Sequence, residues 1–561
     1  MPLTDRRAFM AYLGSLGLGS TLLPGVLWAK LAAGADISKE TIACAEELAG
    51  LTFDDAEREM MVEGLKDQAR TLAALHEVEL PNAVSPAIVF DPRPAGWALP
   101  SGQRPMKRAP VTMPAVPGNL EDLAFRPVTE LSELVRTRKV SSMQLTRMYL
   151  ARLKRLDAKL HAVVTLTEER ALAQARAADE EIARGRYRGP LHGIPWGAKD
   201  MLAVRGHPTT WGAAPYRTQV IDEDAEVVRR LDEAGAVLVA KLTLGALAMG
   251  DVWFGGRTRN PWNLEQGSSG SSAGSSAATA AGLVGFAIGS ETLGSISSPA
   301  TRVGVTGLRP TFGRVPRTGA MALSWTMDKL GPLTRSAEDA ALVLAAIHGP
   351  DGRDRSVHAV PFNWDATVRP SQLRVGYFRS VFERETRDEE GKRHDAAVLD
   401  VLRSLGAKLV PVEVPEVPYG AMRIILVSEA AAAFDELTRS GRDAELTEQG
   451  PNAWPNTFRV ARFIPAADYV NANRVRSIAI ERWHELMQQV DVIVTPTSGS
   501  NQLLATNLTG HPAVIVPNGF RANGTPTSIT FLGGLYDEAR PLALAHAYQQ
   551  ATDWHRRVPA I

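Results

Sequence analysis

A run of glycine, serine and alanine at residues 267–300 constrains this chain more than any other stretch. It reads GSSGSSAGSSAATAAGLVGFAIGSETLGSISSPA. Such a composition is typical of a flexible linker. Residues 277–288 (AATAAGLVGFAI) are too apolar for a solvated linker, and we predict that they pack into a core as a small-residue helix. Glycines beside serines would then let backbone N–H groups approach a ligand closely, while the hydroxyls supply nucleophiles or proton relays.

A serine nucleophile needs a base, and a candidate lies upstream in residues 191–201, LHGIPWGAKDM. This apolar, turn-rich run contains one lysine, Lys199. The alternative is an ordinary surface lysine paired with the adjacent Asp200. In isolation the run does not decide between a base and a surface ion pair.

The two motifs together, Gly-Ile-Pro-x-x-x-Lys-Asp followed by a Gly/Ser-rich block ending in Gly-Ser-Ile, resemble the amidase signature family of serine hydrolases. The resemblance extends over about residues 121–561. Matching segments include residues 225–241, 260–263, 305–314, 491–496, 506–512 and 551–559. It is specific for the family and uninformative about the substrate.

The fold expected from the pattern is α/β. Strand-like runs at residues 236–240, 372–376 and 491–495 alternate with amphipathic helices at residues 129–156 and 167–186, which predicts a mixed central sheet sandwiched by helices. The resemblance implies the same architecture, here with an N-terminal helical extension.

The resemblance also implies a Ser-cis-Ser-Lys triad. Ser295 of Gly-Ser-Ile is the expected nucleophile, Ser271 the bridging serine after a cis peptide with Gly270, and Lys199 the base. A free lysine has a pKa near ~10.4, so burial would have to lower the pKa of Lys199 by roughly three units for it to act near neutral pH.

By the same resemblance, the oxyanion hole consists of the backbone N–H groups of Thr292, Leu293, Gly294 and Ser295. A single lost donor of this kind can cost ~10² in rate. Leu293 stands where the family has a glycine, and it would be strained if that position adopts a positive φ.

Two further departures concern charge. Glu291 stands where the family has an aspartate, and Ser297 replaces the family's arginine. We hypothesise that Arg302 restores the lost charge by pairing with Glu291, which would brace the oxyanion loop.

The N-terminus predicts export. Arg6-Arg7, then Phe9 and an apolar, glycine-rich run, resemble a twin-arginine signal within residues 1–35. The alternative is an uncleaved anchor helix, but Pro24 and the glycines weaken a membrane-spanning helix. We therefore expect a periplasmic or extracellular protein with no stable membrane span after signal cleavage.

Between the signal and the catalytic domain we place residues 36–118. Residues 38–78 have helical periodicity with an expected cap at Thr52. Residues 84–118 are proline-rich and predict an extended strap across the surface, with a disordered linker as the alternative. The catalytic domain then spans residues 119–561.

Composition excludes several classes of function. Lys plus Arg and Asp plus Glu number 62 each, so no net charge favours nucleic acid. The one cysteine, Cys44, precludes an intramolecular disulfide. His484-Glu485 lacks the second histidine of a zinc helix motif, and no phosphate loop is present, so we expect neither metal nor cofactor.

The remaining candidates have structural alternatives. His192, His207 and His511 lie in turn-rich segments and are expected to be hydrogen-bonded scaffold residues. Three aromatic residues near the signature region either line an apolar acyl pocket or pack in the core; they are Trp253, Phe254 and Trp325.

The sequence thus predicts an exported hydrolase of small linear carboxylic amides. One alternative is the ammonia-supplying component of an amidotransferase that acts on misacylated tRNA; the export signal and the lack of a basic patch argue against it. Another is a binding protein of the same fold that does not turn its ligand over.

Overall fold

The computed structural model describes residues 37–561. Its α-helices, in chain order, are α1 (Lys39–Ala49), α2 (Asp55–His76), α3 (Val128–Arg136), α4 (Ser142–Leu160), α5 (Glu168–Ala183), α6 (Glu226–Glu233), α7 (Ala273–Ala280), α8 (Ser297–Val303), α9 (Ala337–Ile347), α10 (Arg379–Glu383), α11 (Glu389–Ser404), α12 (Arg423–Ala433), α13 (Asp435–Arg439), α14 (Trp454–Ala461), α15 (Ala466–Gln489), α16 (Gln502–Thr509) and α17 (Ala539–Thr552).

The strands of the same residues are β1 (Val163–Leu166), β2 (Pro195–Lys199), β3 (Val237–Leu242), β4 (Val252–Trp253), β5 (Gly256–Arg257), β6 (Arg259–Asn260), β7 (Asn263–Gly267), β8 (Phe286–Glu291), β9 (Thr306–Arg309), β10 (Lys329–Thr334), β11 (Arg374–Phe378), β12 (Lys408–Val412), β13 (Val492–Pro496), β14 (Ala513–Phe520) and β15 (Pro526–Gly533). β4 pairs with β5 and β6 with β7 in two short ribbons.

The other strands form one 11-stranded sheet in the order β1-β3-β2-β8-β10-β9-β14-β15-β13-β11-β12. β2 is parallel to β3 and β8, and β11 is parallel to β12 and β13, whereas the strands between them pair antiparallel. Every residue of β2, β3 and β8 is buried, as expected for strands covered by helices on both faces. The α/β fold with a mixed sheet flanked by helices is therefore confirmed.

Two helix predictions were wrong in detail. The helix expected at residues 129–156 is two helices, because Arg138 turns the chain with φ 57° and Ser141 starts α4 with a capping box to Gln144. The helix expected at residues 277–288 ends at Ala280, and Gly282 with φ +61° turns the chain into β8. The buried pairing partners of β8 outweigh its helix propensity.

The N-terminal extension begins with α1 and α2. α2 starts at a capping box in which Asp54 accepts the backbone N–H of Glu57, so the cap is Asp54 rather than Thr52. No residue of α2 is buried.

Residues 84–118 run in extended form along the catalytic domain. Phe90 packs edge-on against Phe312 with ring centroids 5.1 Å apart, and Trp97 stacks on Tyr536 at 6.4 Å. The backbone N–H of Lys107 donates to the carbonyl of Trp364 at 3.0 Å. From here on, the name N-terminal strap is given to residues 82–109, which begin two residues before the predicted strap and make the contacts that attach the extension to the catalytic domain.

The predicted signal segment, residues 1–35, lies outside the described residues. Among residues 37–561, no helix combines the length and apolar character that a membrane span requires.

Candidate active site

Three chain segments converge at the ends of β2 and β8. Lys199 is the last residue of β2, Ser271 lies just before α7, and Ser295 lies in the turn between β8 and α8. β2 and β8 are adjacent parallel strands, so their carboxyl ends meet at one edge of the sheet. The backbone N–H of Ser272 donates to the carbonyl oxygen of Ser295 at 3.1 Å, which ties the serine segments together.

The Lys199 ammonium group is fully buried among serine hydroxyls. Its Nζ lies 2.8 Å from Ser271 Oγ, 3.1 Å from Ser272 Oγ and 2.8 Å from Ser290 Oγ. The Ser272 hydroxyl itself donates to the carbonyl of Ser290 at 3.1 Å, so it accepts from the lysine. A neutral amine has two hydrogens and one lone pair, which leaves the lone pair free to accept the proton of Ser271 once Ser272 and Ser290 each accept one hydrogen.

Burial lowers the pKa of Lys199 from 10.5 to about 7, against the smaller opposing effect of the Asp328 and Glu291 carboxylates. The surface pair with Asp200 is excluded. Asp200 is buried and pairs instead with Lys241, whose Nζ lies 2.7 Å from Asp200 Oδ1. Lys199 therefore has no carboxylate within ion-pair distance among residues 37–561, and its neutral form is accessible near pH 7.

Ser271 follows a cis peptide bond with Gly270. Gly270 has no room for a side chain, because a Cβ there would lie 1.7 Å from the carbonyl oxygen of Gly250. In this buried loop the Ser271 hydroxyl lies toward Lys199.

In the turn of residues 292–295, which contains Ser295, one residue has a positive φ. Gly294 adopts φ 88°, whereas Leu293 is absent from the positive-φ residues of the described chain, so the strain considered for Leu293 does not arise. Ser295 is 9% exposed. Thr292, Leu293 and Gly294 precede it in the same turn, between the end of β8 at Glu291 and the start of α8 at Ser297.

The brace behind this turn differs from the one we hypothesised. Glu291 Oε2 accepts the N–H groups of Ile296 (2.9 Å) and Ser297 (2.8 Å) and the Ser297 hydroxyl (2.8 Å). Its Oε1 accepts from Arg309 at 2.9 Å and Asn507 at 2.8 Å. Burial alone would raise the pKa of Glu291, but Arg309, Asn507 and Lys329 together outweigh it and lower that pKa to about 2.

The hypothesis of an Arg302–Glu291 pair is therefore wrong. Arg302 is exposed and donates to Gln266 at 3.2 Å. Glu291 ends β8 and Arg309 ends β9, and only β10 separates these two strands in the sheet, so the Arg309 side chain reaches Glu291. Arg302 lies in the last turn of α8 and is exposed. Arg302 is nearer than Arg309 to Glu291 in the sequence, which favoured the wrong arginine. Only the order of the strands in the sheet brings residue 309 next to residue 291.

Sequence reasoning missed Asp328. The Thr292 hydroxyl donates to Asp328 Oδ1 at 2.5 Å, and Asp328 Oδ2 accepts the N–H groups of Leu323 and Ser324 at 2.8 and 2.9 Å. Burial raises the pKa of Asp328. No local motif marks Asp328. One of its hydrogen-bond partners, Thr292, is more than thirty residues away in the sequence, and the other two lie in an irregular loop.

Three of the other candidates are buried: His192, Trp253 and His511. The ring of His511 is buried and exchanges a hydrogen bond with Thr509 at 2.8 Å, and burial lowers its pKa to about 3. His192 is buried beside Glu181. Trp253 is buried and packs edge-on against Phe254 with centroids 4.8 Å apart. Residues 37–561 contain no cluster of three or more His, Cys, Asp or Glu side chains arranged to hold a metal ion.

Comparison with known proteins places the chain among enzymes. The Amidase family model matches residues 144–542. The A component of the glutamyl-tRNA(Gln) amidotransferase of Methylococcus capsulatus is 35% identical over 479 residues, which are 77% of this chain and 98% of that protein. The corresponding protein of Halorhodospira halophila is also 35% identical, over 478 residues with the same coverage.

A solved structure gives the same result for the fold. The native peptide amidase from Stenotrophomonas maltophilia is similar with a TM-score of 0.70 and 31% identity, covering 78% of this chain and 99% of that chain.

Proposed function

The chain belongs to the amidase signature family of enzymes, and from this premise we propose that it hydrolyses the C–N bond of a carboxylic amide through an acyl-enzyme on Ser295. One observation supports this most directly. A fully buried lysine with a pKa lowered to about 7 lies 2.8 Å from the Ser271 hydroxyl, beside the turn of Ser295. A neutral lysine is a base, and a charged one is not.

The proposed reaction begins with a proton relay. Lys199 takes the hydroxyl proton of Ser271 as Ser271 takes that of Ser295, and the Ser295 oxygen attacks the amide carbonyl carbon. The charge that develops on the carbonyl oxygen is stabilised by the N–H groups of Thr292, Leu293, Gly294 and Ser295. The protonated Lys199 then returns its proton through Ser271 to the leaving nitrogen as the C–N bond breaks.

Water completes the cycle by the same relay. It loses a proton toward Lys199 as its oxygen attacks the acyl carbon, and Ser295 recovers its proton as the ester bond breaks. The products are a carboxylic acid and ammonia or an amine. We propose small linear amides as substrates, because Ser295 is only 9% exposed and a large folded polypeptide would not reach it.

A second candidate is supply of ammonia from an amide donor within a multi-component amidotransferase. The 35% sequence identity with the A components of two glutamyl-tRNA(Gln) amidotransferases supports it, because those proteins are named as one component of an amidotransferase. The balanced charge of the chain, 62 basic and 62 acidic residues, and the proposed export signal favour the independent amidase.

Export itself remains a proposal. It rests on Arg6-Arg7 and the apolar run that follows them. Fractionation of cells that express the full chain, compared with an Arg6→Lys/Arg7→Lys variant, tests it: the wild type is expected outside the cytoplasm and the variant inside.

Intact-mass spectrometry with a serine-directed fluorophosphonate tests the chemistry. We expect one adduct on the wild type, none on Ser295→Ala, and an adduct on the matched control Ser404→Ala, whose serine is exposed on α11. Released ammonia from a library of carboxamides then identifies the amide class. A wild type that takes up no label would indicate a binding protein of this fold and overturn the hydrolase.

A further inference from the structure

One peptide group connects the N-terminal strap to residues 292–295, the turn that contains Ser295 and that we call the oxyanion turn after its proposed role. Asn82 binds both sides of Ala322: its Nδ2 donates to the Ala322 carbonyl at 2.8 Å, and its Oδ1 accepts the Ala322 N–H at 2.7 Å. The same Nδ2 lies 3.3 Å from the carbonyl of Ala433 at the end of α12. Asn82 is thus a bidentate clamp on an irregular loop 240 residues away.

The clamped carbonyl of Ala322 and the N–H of Leu323 belong to one peptide unit. That N–H donates to Asp328 Oδ2 at 2.8 Å, and Asp328 Oδ1 accepts the Thr292 hydroxyl at 2.5 Å. A continuous chain of hydrogen bonds therefore connects Asn82 to the first residue of the oxyanion turn. Bonds in such a chain polarise one another, and Asp328 is buried where water does not compete.

A second contact from the strap reaches the same loop. Phe90 lies under the guanidinium of Arg476, 3.4 Å from its carbon to the ring centroid. Arg476 donates to the hydroxyl of Thr326 at 2.9 Å and to its carbonyl at 2.8 Å. Residues 321–328, which we call the relay loop, are therefore held by the strap at Ala322 and, through Arg476, at Thr326.

We propose that the N-terminal strap positions the oxyanion turn, with Asn82 as a positioning residue that acts through the relay loop, Asp328 and Thr292. The proposal rests on the proposed function, because it assigns the strap a role in the acylation of Ser295. The strap lies outside residues 144–542, which the family model matches. Asn82 does not touch the reacting atoms. It limits the conformations of the turn whose N–H groups receive the developing charge.

The rate of fluorophosphonate labelling tests the proposal in a double-mutant cycle. Asn82→Ala and Thr292→Val, which keeps the Thr292 N–H but removes its hydroxyl, should each slow labelling about threefold to thirtyfold. Because both act through one hydrogen-bond chain, the double variant should be no slower than the slower single variant. With an amide substrate, kcat should fall while KM stays within twofold.

Gln103→Ala is the matched control. This strap amide also contacts the catalytic domain, at the carbonyl of Phe362, but it has no bond to the relay loop. We expect Gln103→Ala to label at the wild-type rate. The proposal is overturned if Asn82→Ala labels at the wild-type rate, or if the double variant slows labelling by the product of the two single effects. Either result leaves the proposed hydrolase function intact.

Amide hydrogen exchange separates this proposal from the proposed function. In Asn82→Ala, exchange should quicken in the relay loop and in residues 292–295, and in Gln103→Ala it should not. If the wild type takes up no label, the proposed hydrolase function is wrong. The hydrogen exchange of residues 292–295 in Asn82→Ala still decides whether the strap limits the conformations of the oxyanion turn. Unchanged exchange there overturns the coupling.

Discussion

The base of the proposed reaction depends on the burial of one lysine. Lys199 has no exposed surface, and burial brings its pKa to about 7. The deprotonated fraction therefore rises with pH through that value, and the labelling rate of Ser295 should rise with it and level off above about pH 8. Stopped-flow labelling from pH 5 to 9 measures the profile.

Removal of the base gives the matching prediction. Lys199→Ala should slow labelling at least about 10²-fold, because a positioned general base contributes about 10²–10⁴ in rate. Lys139→Ala removes an exposed lysine and should label like the wild type. A wild-type profile that stays flat from pH 5 to 9 would contradict the role of Lys199.

Glu291 braces the end of the turn that contains Ser295, because it accepts the N–H groups of Ile296 and Ser297. Glu291→Gln leaves Arg309 buried without a full counter-charge and places an amide hydrogen against the donors of residues 296 and 297. We expect a loss of about 3 kcal/mol in the free energy of unfolding by urea. Arg302→Ala, which removes the exposed arginine, should stay within about 0.5 kcal/mol of the wild type.

The cost of Glu291→Gln should depend on pH. The folded pKa of Glu291, about 2, lies below its ordinary value of 4.5. The folded carboxylate thus contributes stability above about pH 4.5, and that contribution falls away as the pH drops toward 2. The stability difference between wild type and variant should shrink over this range; a constant difference would mean that charge is not its origin.

At the scale of elements, the turn from α7 into β8 depends on a glycine. Gly282 has φ +61°, and a Cβ there would lie 2.9 Å from the Phe125 ring and 3.0 Å from the Ala124 carbonyl. Gly282→Ala should therefore cost about 2 kcal/mol in unfolding free energy, from backbone strain and contact together.

Gly524→Ala is the control for that prediction. Its φ is +79°, but nothing lies within 4 Å of the added Cβ. It should cost only the backbone strain, about 1 kcal/mol. Equal costs at the two positions would show that the contact with Phe125 and Ala124 relaxes freely.

At the scale of the whole molecule, the extension and the catalytic domain should differ in local stability. No residue of α2 is buried, whereas β2, β3 and β8 are buried throughout. Within residues 37–561, limited trypsin digestion should cut first between residues 55 and 80, because segments with few buried contacts open most readily. Intact-mass analysis over time locates the cuts; earlier cuts within residues 119–561 would contradict the prediction.

The sequence by itself determined the family and the α/β fold, and it nominated Lys199, Ser271 and Ser295 for the candidate site. These follow from local patterns: period-2 and helical runs, and the motifs around Lys199, Ser271 and Ser295. A residue's chemistry is local, so a motif is enough to nominate it.

Only the tertiary structure decided which side chains form the ion pairs and hydrogen bonds around the candidate site. Arg309 rather than Arg302 reaches Glu291, Lys241 rather than Lys199 pairs with Asp200, and Asp328 joins Thr292 to the loop that Asn82 holds. Strand order and loop packing set these distances, and residues that are far apart in sequence meet through them. The same holds for residues 277–288, where the helix ends at Ala280 and residues 286–288 pair instead in β8 with a buried strand on each side.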